Sequence, residues 1–345
     1  MDENPIPVPV SPASPEIHPP SNRRIKRRLM FVLIGLYAVS VVAGCVLILR
    51  LPSQAKDGKG SGSQSLLSLS QKEAVGWVSI HGPIMDSESG KPWEKGSAQW
   101  AKRIRDLAET PGIKAIVLDI NSPGGSVGAV QELYSQILRV RKEKNIPVVA
   151  LFGDVAASGG YYIAAACDKI VAHPGTLTGS IGVIMNVTNL EGLFAKIGYK
   201  SDPIKSGAHK DIMSPSRPMT KEERDILQEL IMDAYGQFVA AVSTGRHIPE
   251  DEVRPLADGR IFSGNQALQH KLVDQLGDST DAIELAGKLG GISGKPKVRR
   301  DPDSLKDFWG MLDSKFHGVL ETQNSVLDRL HVMDHAGLEY RWAGW

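Results

Sequence analysis

The chain has 345 residues, 41% of them hydrophobic, and its 40 basic and 39 acidic residues leave a net charge of +1. This balance offers no basic surface of the kind that nucleic-acid binding requires, so we expect no nucleic-acid partner. The two cysteines, Cys45 and Cys167, are too far apart in sequence to indicate a disulfide framework. No metal-ligand cluster is evident in the sequence, and we expect neither a metal nor a cofactor.

The N-terminal region predicts a membrane anchor. Residues 1–28 are rich in proline and serine and end in a basic cluster, which is typical of a disordered tail. Residues 29–49 carry no charge and are about long enough to cross a bilayer as a helix. Because the basic cluster precedes this helix, the tail is expected in the cytoplasm and the remainder outside it. This predicts a single-pass protein of the inner (cytoplasmic) membrane.

Two other readings of this apolar stretch are a cleaved signal peptide and a lipoprotein signal that ends at Cys45. Apolar residues continue past Cys45 to Leu49, which favours an uncleaved anchor. Residues 50–72 are rich in glycine, serine and lysine and are predicted to be a linker. We expect a globular domain over 73–292 and an amphipathic extension over 293–345.

Within the globular region, strands alternate with helices. Strands are predicted at 74–80, 114–120, 147–152, 169–172 and 200–204, and helices at 97–107, 127–144 and 221–242. This alternation predicts an α/β fold with a largely parallel sheet covered by helices. A glycine-containing turn is expected over 121–126.

Ser158 is the candidate nucleophile. It lies between an apolar strand and an apolar helix and is followed by two glycines, an arrangement that places a hydroxyl beside free backbone N–H groups. The turn over 121–126 is expected at the same edge of the sheet, so Gly125 and Gly159 could both stabilise an oxyanion. Taken alone, Ser158 could also be a helix N-cap, and 121–126 a plain turn.

A serine nucleophile needs a base. None of the nine histidines has an orienting carboxylate close to it in sequence. Lys205 and Lys210 lie on one glycine-containing turn, where lysines are usually solvated charges. A lysine acts as a base only when it is neutral, which near pH 7 requires a closed or interfacial pocket.

Five motifs in this order resemble the bacterial signal peptide peptidase A family and together cover roughly residues 74–289. They are 121–125, 157–162, 178–183, 205–211 and 258–277. The resemblance implies a Ser/Lys dyad peptidase on a fold similar to Clp peptidase and crotonase, with a repeated ββα core and a parallel sheet.

The resemblance also implies roles for individual residues. Ser158 corresponds to the nucleophile, Lys210 to the general base and Ser180 to the serine that hydrogen-bonds the lysine amine. Gly125 and Gly159 correspond to the oxyanion hole, and Lys205 is the alternative base. Clp-like relatives carry a catalytic histidine shortly after the position of Pro174; Gly179 and Ser180 occupy that neighbourhood here, which disfavours a Ser-His-Asp triad.

The family's single-repeat members form rings in which a neighbouring subunit supplies the lysine, and their substrates are remnant signal peptides. The resemblance therefore implies a homo-oligomer at the membrane with peptide substrates. Three alternatives stay open: a peptidase for one membrane protein with a stomatin-like partner, a non-catalytic peptide-binding scaffold, and an acyl-CoA enzyme. The extension has amphipathic helix spacing over 305–320 and is expected to pack on its own or a neighbouring domain, or to contact the membrane surface or a partner. The aromatic ending 340–345 could bind a groove in its own assembly.

Overall fold

The computed structural model describes residues 73–86, 96–300 and 338–342. The strands are β1 (Ala74–His81), β2 (Ile113–Ser122), β3 (Gly124–Ser126), β4 (Val148–Ala157), β5 (Lys169–Ala172), β6 (Leu177–Gly179), β7 (Ile261–Ser263), β8 (Gln275–Leu276), β9 (Lys297–Arg300) and β10 (Glu339–Arg341). The α-helices are α1 (Ser97–Glu109), α2 (Val127–Lys144), α3 (Gly159–Ala165), α4 (Glu191–Lys196), α5 (Lys221–Arg246), α6 (Glu250–Val253), α7 (Gly264–Gln269) and α8 (Ser279–Leu289).

Eight of these strands form one sheet, whose main path runs β7-β6-β4-β2-β1-β9, with β5 beside β4 and β8 beside β5. Its strand pairs are parallel except for β6 and β7. The two remaining strands, β3 and β10, form a separate antiparallel ladder. The predicted α/β class with a mostly parallel sheet is confirmed.

Strand β4 is the centre of the sheet. Its first half pairs with β5 and its second half with β6, while β2 runs along its other side. A strand buried between neighbours on both sides has little freedom to move. The end of β4 is therefore a rigid place from which to present Ser158.

Apolar side chains cover both faces of the sheet, as expected for parallel strands flanked by helices. On one face, residues such as Ile80, Leu118 and Phe152 join the large core under helices α1, α2 and α3. On the other, Val75 and Trp77 belong to a smaller core with residues of α8. Adjacent residues of one strand thus point to opposite faces.

Two local predictions are wrong. The predicted strand 200–204 has no regular structure and is exposed. Pro203 offers no backbone N–H, and none of the strands in the described part of the chain pairs with this segment. The predicted turn 121–126 is largely strand: Asn121 and Ser122 complete β2, and the next residues form β3. The partner of β3 is β10, which lies more than 200 residues further along the chain.

The predicted tail, anchor and linker over 1–28, 29–49 and 50–72 lie outside the described residues. Among the residues that are described, no helix combines the length and apolar character needed to cross a bilayer. At the other end of the domain, β9 joins the main sheet beside β1, although the sequence assigns residues from 293 onward to an extension.

Candidate active site

Ser158 lies where the central strand β4 turns into helix α3. Its backbone has φ 53° and ψ −118°, a conformation that costs a non-glycine residue on the order of 1–3 kcal/mol. The residue is 1% exposed, and its side chain makes no capping hydrogen bond to the helix that follows. Ser158 thus occupies the N-cap position of α3, but its hydroxyl does not cap the helix. Strain of this kind is found where a side chain must be presented for function.

Ser158 and Ser180 line the same cleft, which has a volume of about 550 Å³. Ser180 also has a positive φ, of 49°, and is 8% exposed. The Ser158 amide donates to the Gly179 carbonyl at 2.8 Å, and the Ser180 amide donates to the Arg260 carbonyl at 2.7 Å. These two hydrogen bonds fix both serines on the wall of one cleft, as the sequence motifs imply.

Other walls of the cleft come from segments to which the sequence analysis gave no role in the site. Helix α5 contributes Ile231, Met232 and Tyr235, and the loop before β7 contributes Asp258 and its neighbours. The side chains from α5 make the cleft largely apolar. The motif 258–277 is the sequence signal that points to the wall around Asp258, because it resembles the family although it carries no nucleophile or base.

Asp258 is the acidic residue of this cleft wall. Arg260 donates hydrogen bonds to both of its carboxylate oxygens, at 2.7 and 2.5 Å. These bonds hold the pKa of Asp258 at about 2. The charged pair stiffens the same loop whose Arg260 carbonyl receives the Ser180 amide, so it stabilises the turn that carries Ser180.

Gly124 and Gly125 lie where no side chain fits. A Cβ on Gly125 would come within 1.8 Å of the Ile84 carbonyl oxygen, and one on Gly124 within 2.6 Å of the Gly159 backbone nitrogen. Gly124 also has φ +98°. The structure thus brings both predicted oxyanion-hole segments together beside Ser158.

The predicted base does not join this group within one chain. Lys210 is exposed, does not line the cleft, and makes no side-chain hydrogen bond or ion pair with any residue that the structure describes. Lys205, the alternative, is committed elsewhere: its ammonium group contacts Asp211 at 2.6 Å and donates to the Ala208 carbonyl. This ion pair keeps the Lys205 amine on its own turn, and Lys205 does not line the cleft either.

The turn that carries Lys210 is tied to the start of helix α5 through Arg217. The guanidinium contacts both oxygens of Asp211 and both oxygens of Glu223. Hydrogen bonds from Arg217, and then from Lys205, hold the pKa of Asp211 well below its usual range. Glu223 is 2% exposed and completes a capping box with Thr220. This network anchors the turn although the lysine itself is exposed.

The C-terminal strand β10 lies in the cleft region. It pairs with β3 on one side, and Glu339 exchanges both backbone hydrogen bonds with Ile184 on the other, at 3.1 and 3.0 Å. Tyr340 is fully buried, and Arg341 and Trp342 line the same cleft as the two serines. Residues 338–342 therefore pack on the domain that carries the two serines, and a groove in an assembly stays a prediction for the aromatic ending 340–345.

Two family models match the chain. The Peptidase family S49 model matches residues 140–293, and the Clp protease model matches residues 90–176. The first match includes Ser158, Ser180 and Lys210, and the second covers the strands that lead to the nucleophile turn. Both agree with the mostly parallel α/β architecture.

Individual relatives agree with these models. A putative signal peptide peptidase SppA from Enterococcus faecium is 40% identical over 277 residues, covering 77% of this chain and 80% of the relative. A putative protease from Synechocystis is 47% identical over 192 residues, 56% of this chain and 66% of the relative. Protease 4 from Salmonella typhi is 37% identical over 212 residues, 61% of this chain but only 34% of the longer relative. The chain is a serine peptidase that belongs to the signal peptide peptidase A family.

Proposed function

We propose that this protein is a membrane-anchored endopeptidase that uses a Ser/Lys dyad to hydrolyse remnant signal peptides and similar membrane-associated peptides. The observation that carries the proposal is the pair of strained, buried serines, Ser158 and Ser180, on one largely apolar cleft. An apolar cleft suits the hydrophobic segments of signal peptides. The anchor at 29–49, with the N-terminus in the cytoplasm, would hold the cleft beside the outer face of the cytoplasmic membrane.

In the proposed mechanism, the neutral amine of Lys210 accepts the proton of the Ser158 hydroxyl while Ser180 orients that amine. The Ser158 oxygen then attacks the peptide carbonyl carbon. The N–H groups of Gly125 and Gly159 bind the oxyanion. The protonated lysine gives its proton to the departing amine, and a water molecule repeats the sequence to release the acyl group from Ser158.

We further propose that a neighbouring subunit supplies Lys210. Two observations support this: the lysine is exposed and outside the cleft of its own chain, and the adjoining segment exposes several large apolar side chains. Those side chains are Ile184, Val187, Leu193, Ile197, Tyr199 and Ile204. Exposed apolar residues grouped along one segment are typical of protein–protein interfaces. A neighbour packed there would also remove water from the lysine, as a neutral amine requires.

Peptide hydrolysis by the full-length chain in detergent tests both proposals. We expect Ser158→Ala and Lys210→Ala each to lose activity, with the oligomer intact by light scattering. Mixing the two inactive variants should restore part of the activity, because a Ser158→Ala subunit can lend its lysine to a Lys210→Ala neighbour. Full activity in Lys210→Ala would refute the dyad. No recovery in mixed oligomers would refute a lysine supplied by the neighbour.

A further inference from the structure

The turn that carries Lys210 belongs to a stretch, 201–220, that forms neither helix nor strand. Short-range backbone bonds shape it: the Lys210 amide donates to the Gly207 carbonyl at 3.2 Å, and the Ser214 amide donates to the Asp211 carbonyl at 3.0 Å. Exposed turns of this kind are usually among the more mobile parts of a domain. A general base, however, must lie within hydrogen-bond reach of the proton that it accepts. The position of Lys210 therefore depends on how the turn is attached to the rest of the domain.

Arg217 attaches this turn to helix α5. Its Nε donates to one carboxylate oxygen of Asp211 at 3.0 Å, and one terminal nitrogen donates to the other at 2.9 Å. The second terminal nitrogen donates to Glu223 at 2.9 Å and to the Pro218 carbonyl at 3.0 Å. A further bond runs from the first terminal nitrogen to the other carboxylate oxygen of Glu223. The guanidinium thus has an acceptor for every one of its N–H groups and joins two carboxylates in one fixed geometry.

Glu223 gives this bridge a rigid base. Its side chain is 2% exposed and accepts the Thr220 amide at 2.9 Å, while the Glu223 amide donates to the Thr220 hydroxyl at 3.1 Å, which completes a capping box. Further along α5, Phe238 and Val242 are fully buried in the core. Asp211, at the other end of the bridge, directly follows Lys210 in the chain. The bridge thus carries the rigidity of a packed helix to the residue next to the lysine.

We propose that Arg217 is a positioning residue of the peptidase, which holds the turn of Lys210 on helix α5 and so places the lysine amine for Ser158 of a neighbouring subunit. The inference rests on the proposed Ser/Lys function and deepens it. Arg217 is not among the described residues that line the cleft, so it acts through Lys210 and not on the substrate. Loss of the bridge would leave the lysine present but poorly placed, which lowers the rate of the chemical step rather than the affinity for substrate.

Peptide hydrolysis by the full-length chain in detergent gives the first test. We expect Arg217→Gln to lower kcat about tenfold or more and to leave KM within about twofold, because a displaced base slows the chemistry. Arg246→Gln is the matched control, since Arg246 lies at the other end of α5 and bonds the carboxylate of Asp274 at 2.8 Å. It should lower the urea midpoint, because an ion pair is broken, yet keep kcat within about twofold. Wild-type kcat in Arg217→Gln, or equal losses of kcat in both variants, would overturn the proposal.

Labelling of Ser158 with a fluorophosphonate separates a positioning role from general damage to the fold. In this reaction the Ser158 oxygen displaces fluoride from phosphorus, and a base speeds it by accepting the hydroxyl proton. We expect Arg217→Gln to be labelled about tenfold more slowly than the wild type, and Lys210→Ala and Lys210→Ala/Arg217→Gln to share one slow rate. If the Arg217 change slowed labelling as much without Lys210 as with it, Arg217 would act on the fold and the proposal would fail.

A second variant covers the case in which Arg217→Gln does not fold, since that change leaves Glu223 buried without its charged partner. Asp211→Asn keeps the Arg217–Glu223 pair and weakens the bonds at the lysine turn, so it should fold and show the same loss of kcat and of labelling rate. Unchanged labelling of Asp211→Asn would contradict the assignment. If the wild type is labelled but cleaves no peptide, the proposed function fails, while the labelling rates still decide what Arg217 does.

Discussion

The backbone amide of Ser158 donates to the carbonyl of Gly179 at 2.8 Å, and this one bond joins the nucleophile turn to the turn that carries Ser180. Strand β4 supplies the first turn and β6 the second, and the two strands are parallel neighbours. Parallel neighbours end at the same edge of a sheet, so two turns separated by a helix and a further strand meet in one cleft. The sheet, rather than any local motif, sets the spacing of the two serines.

Removal of the Ser180 hydroxyl should impair catalysis without unfolding the protein. We expect Ser180→Gly to lower kcat by about 10²-fold, since the hydroxyl is proposed to orient the lysine amine. Glycine adopts the φ of 49° found at this position without strain, so the variant should fold. The measurement is steady-state hydrolysis together with the pH dependence of kcat. A variant with wild-type kcat and an unchanged pH profile would remove Ser180 from the mechanism.

A side chain at Gly125 should disable the oxyanion hole. In Gly125→Ala the new Cβ would overlap the Ile84 carbonyl oxygen, so β3 has to shift. We expect a loss of about 10²-fold or more in kcat, and of about 1–3 kcal/mol in the free energy of unfolding. Hydrolysis and urea denaturation of the same preparation measure the two effects separately.

Gly128→Ala is the matched control for this variant. Gly128 lies only three residues further on, in helix α2, and a Cβ there meets nothing within 4 Å. Alanine in a helix should leave activity unchanged and add up to about 1 kcal/mol of stability. If Gly125→Ala behaved like Gly128→Ala, the close approach to Ile84 would have no functional consequence.

The sequence predicts the parts of the fold that depend on local pattern. Helix 127–144 and strand 169–172 are found at the predicted residues, because apolar periodicity and flanking breakers determine them. A strand, a run of small residues and an apolar helix likewise predict the turn at Ser158. These features need only near neighbours along the chain, which a sequence displays directly.

Strands and backbone conformations that depend on residues far away in the chain could not be predicted in the same way. The segment Gly124–Ser126 pairs with Glu339–Arg341 on one side and with Ile84 on the other, and no local pattern indicates either partner. The positive φ angles of Ser158 and Ser180 accompany hydrogen bonds to Gly179 and Arg260, which no local pattern indicates either. Conversely, 200–204 has strand-like residues but pairs with none of the strands that the structure describes, and it is not a strand.

Replacing Lys205 should distinguish the two lysines of the turn. Its ammonium group is bound to Asp211 at 2.6 Å, so we expect Lys205→Met to keep activity within about threefold of the wild type. Arg217 still holds Asp211 in this variant, which preserves the turn. Hydrolysis by Lys205→Met and Lys210→Met, measured side by side, checks this expectation. Loss of activity in Lys205→Met together with retained activity in Lys210→Met would make Lys205 the base instead of Lys210.

The ion pair between Arg217 and Glu223 should make stability depend on pH in a defined window. Hydrogen bonds from Arg217 lower the pKa of Glu223 from an ordinary 4.5 to about 2. A lowered pKa means that the pair stabilises the fold fully above pH 4.5 and that this stabilisation is lost as the pH falls toward 2. At pH 7, Glu223→Gln should therefore unfold at a lower urea concentration than the wild type. The difference between the two urea midpoints should narrow between pH 4.5 and 2. Glu229→Gln, which changes an exposed residue of the same helix, should have the same urea midpoint as the wild type at every pH. If the difference in urea midpoint between Glu223→Gln and the wild type persisted unchanged to pH 2, Glu223 would stabilise the fold by packing rather than by its charge.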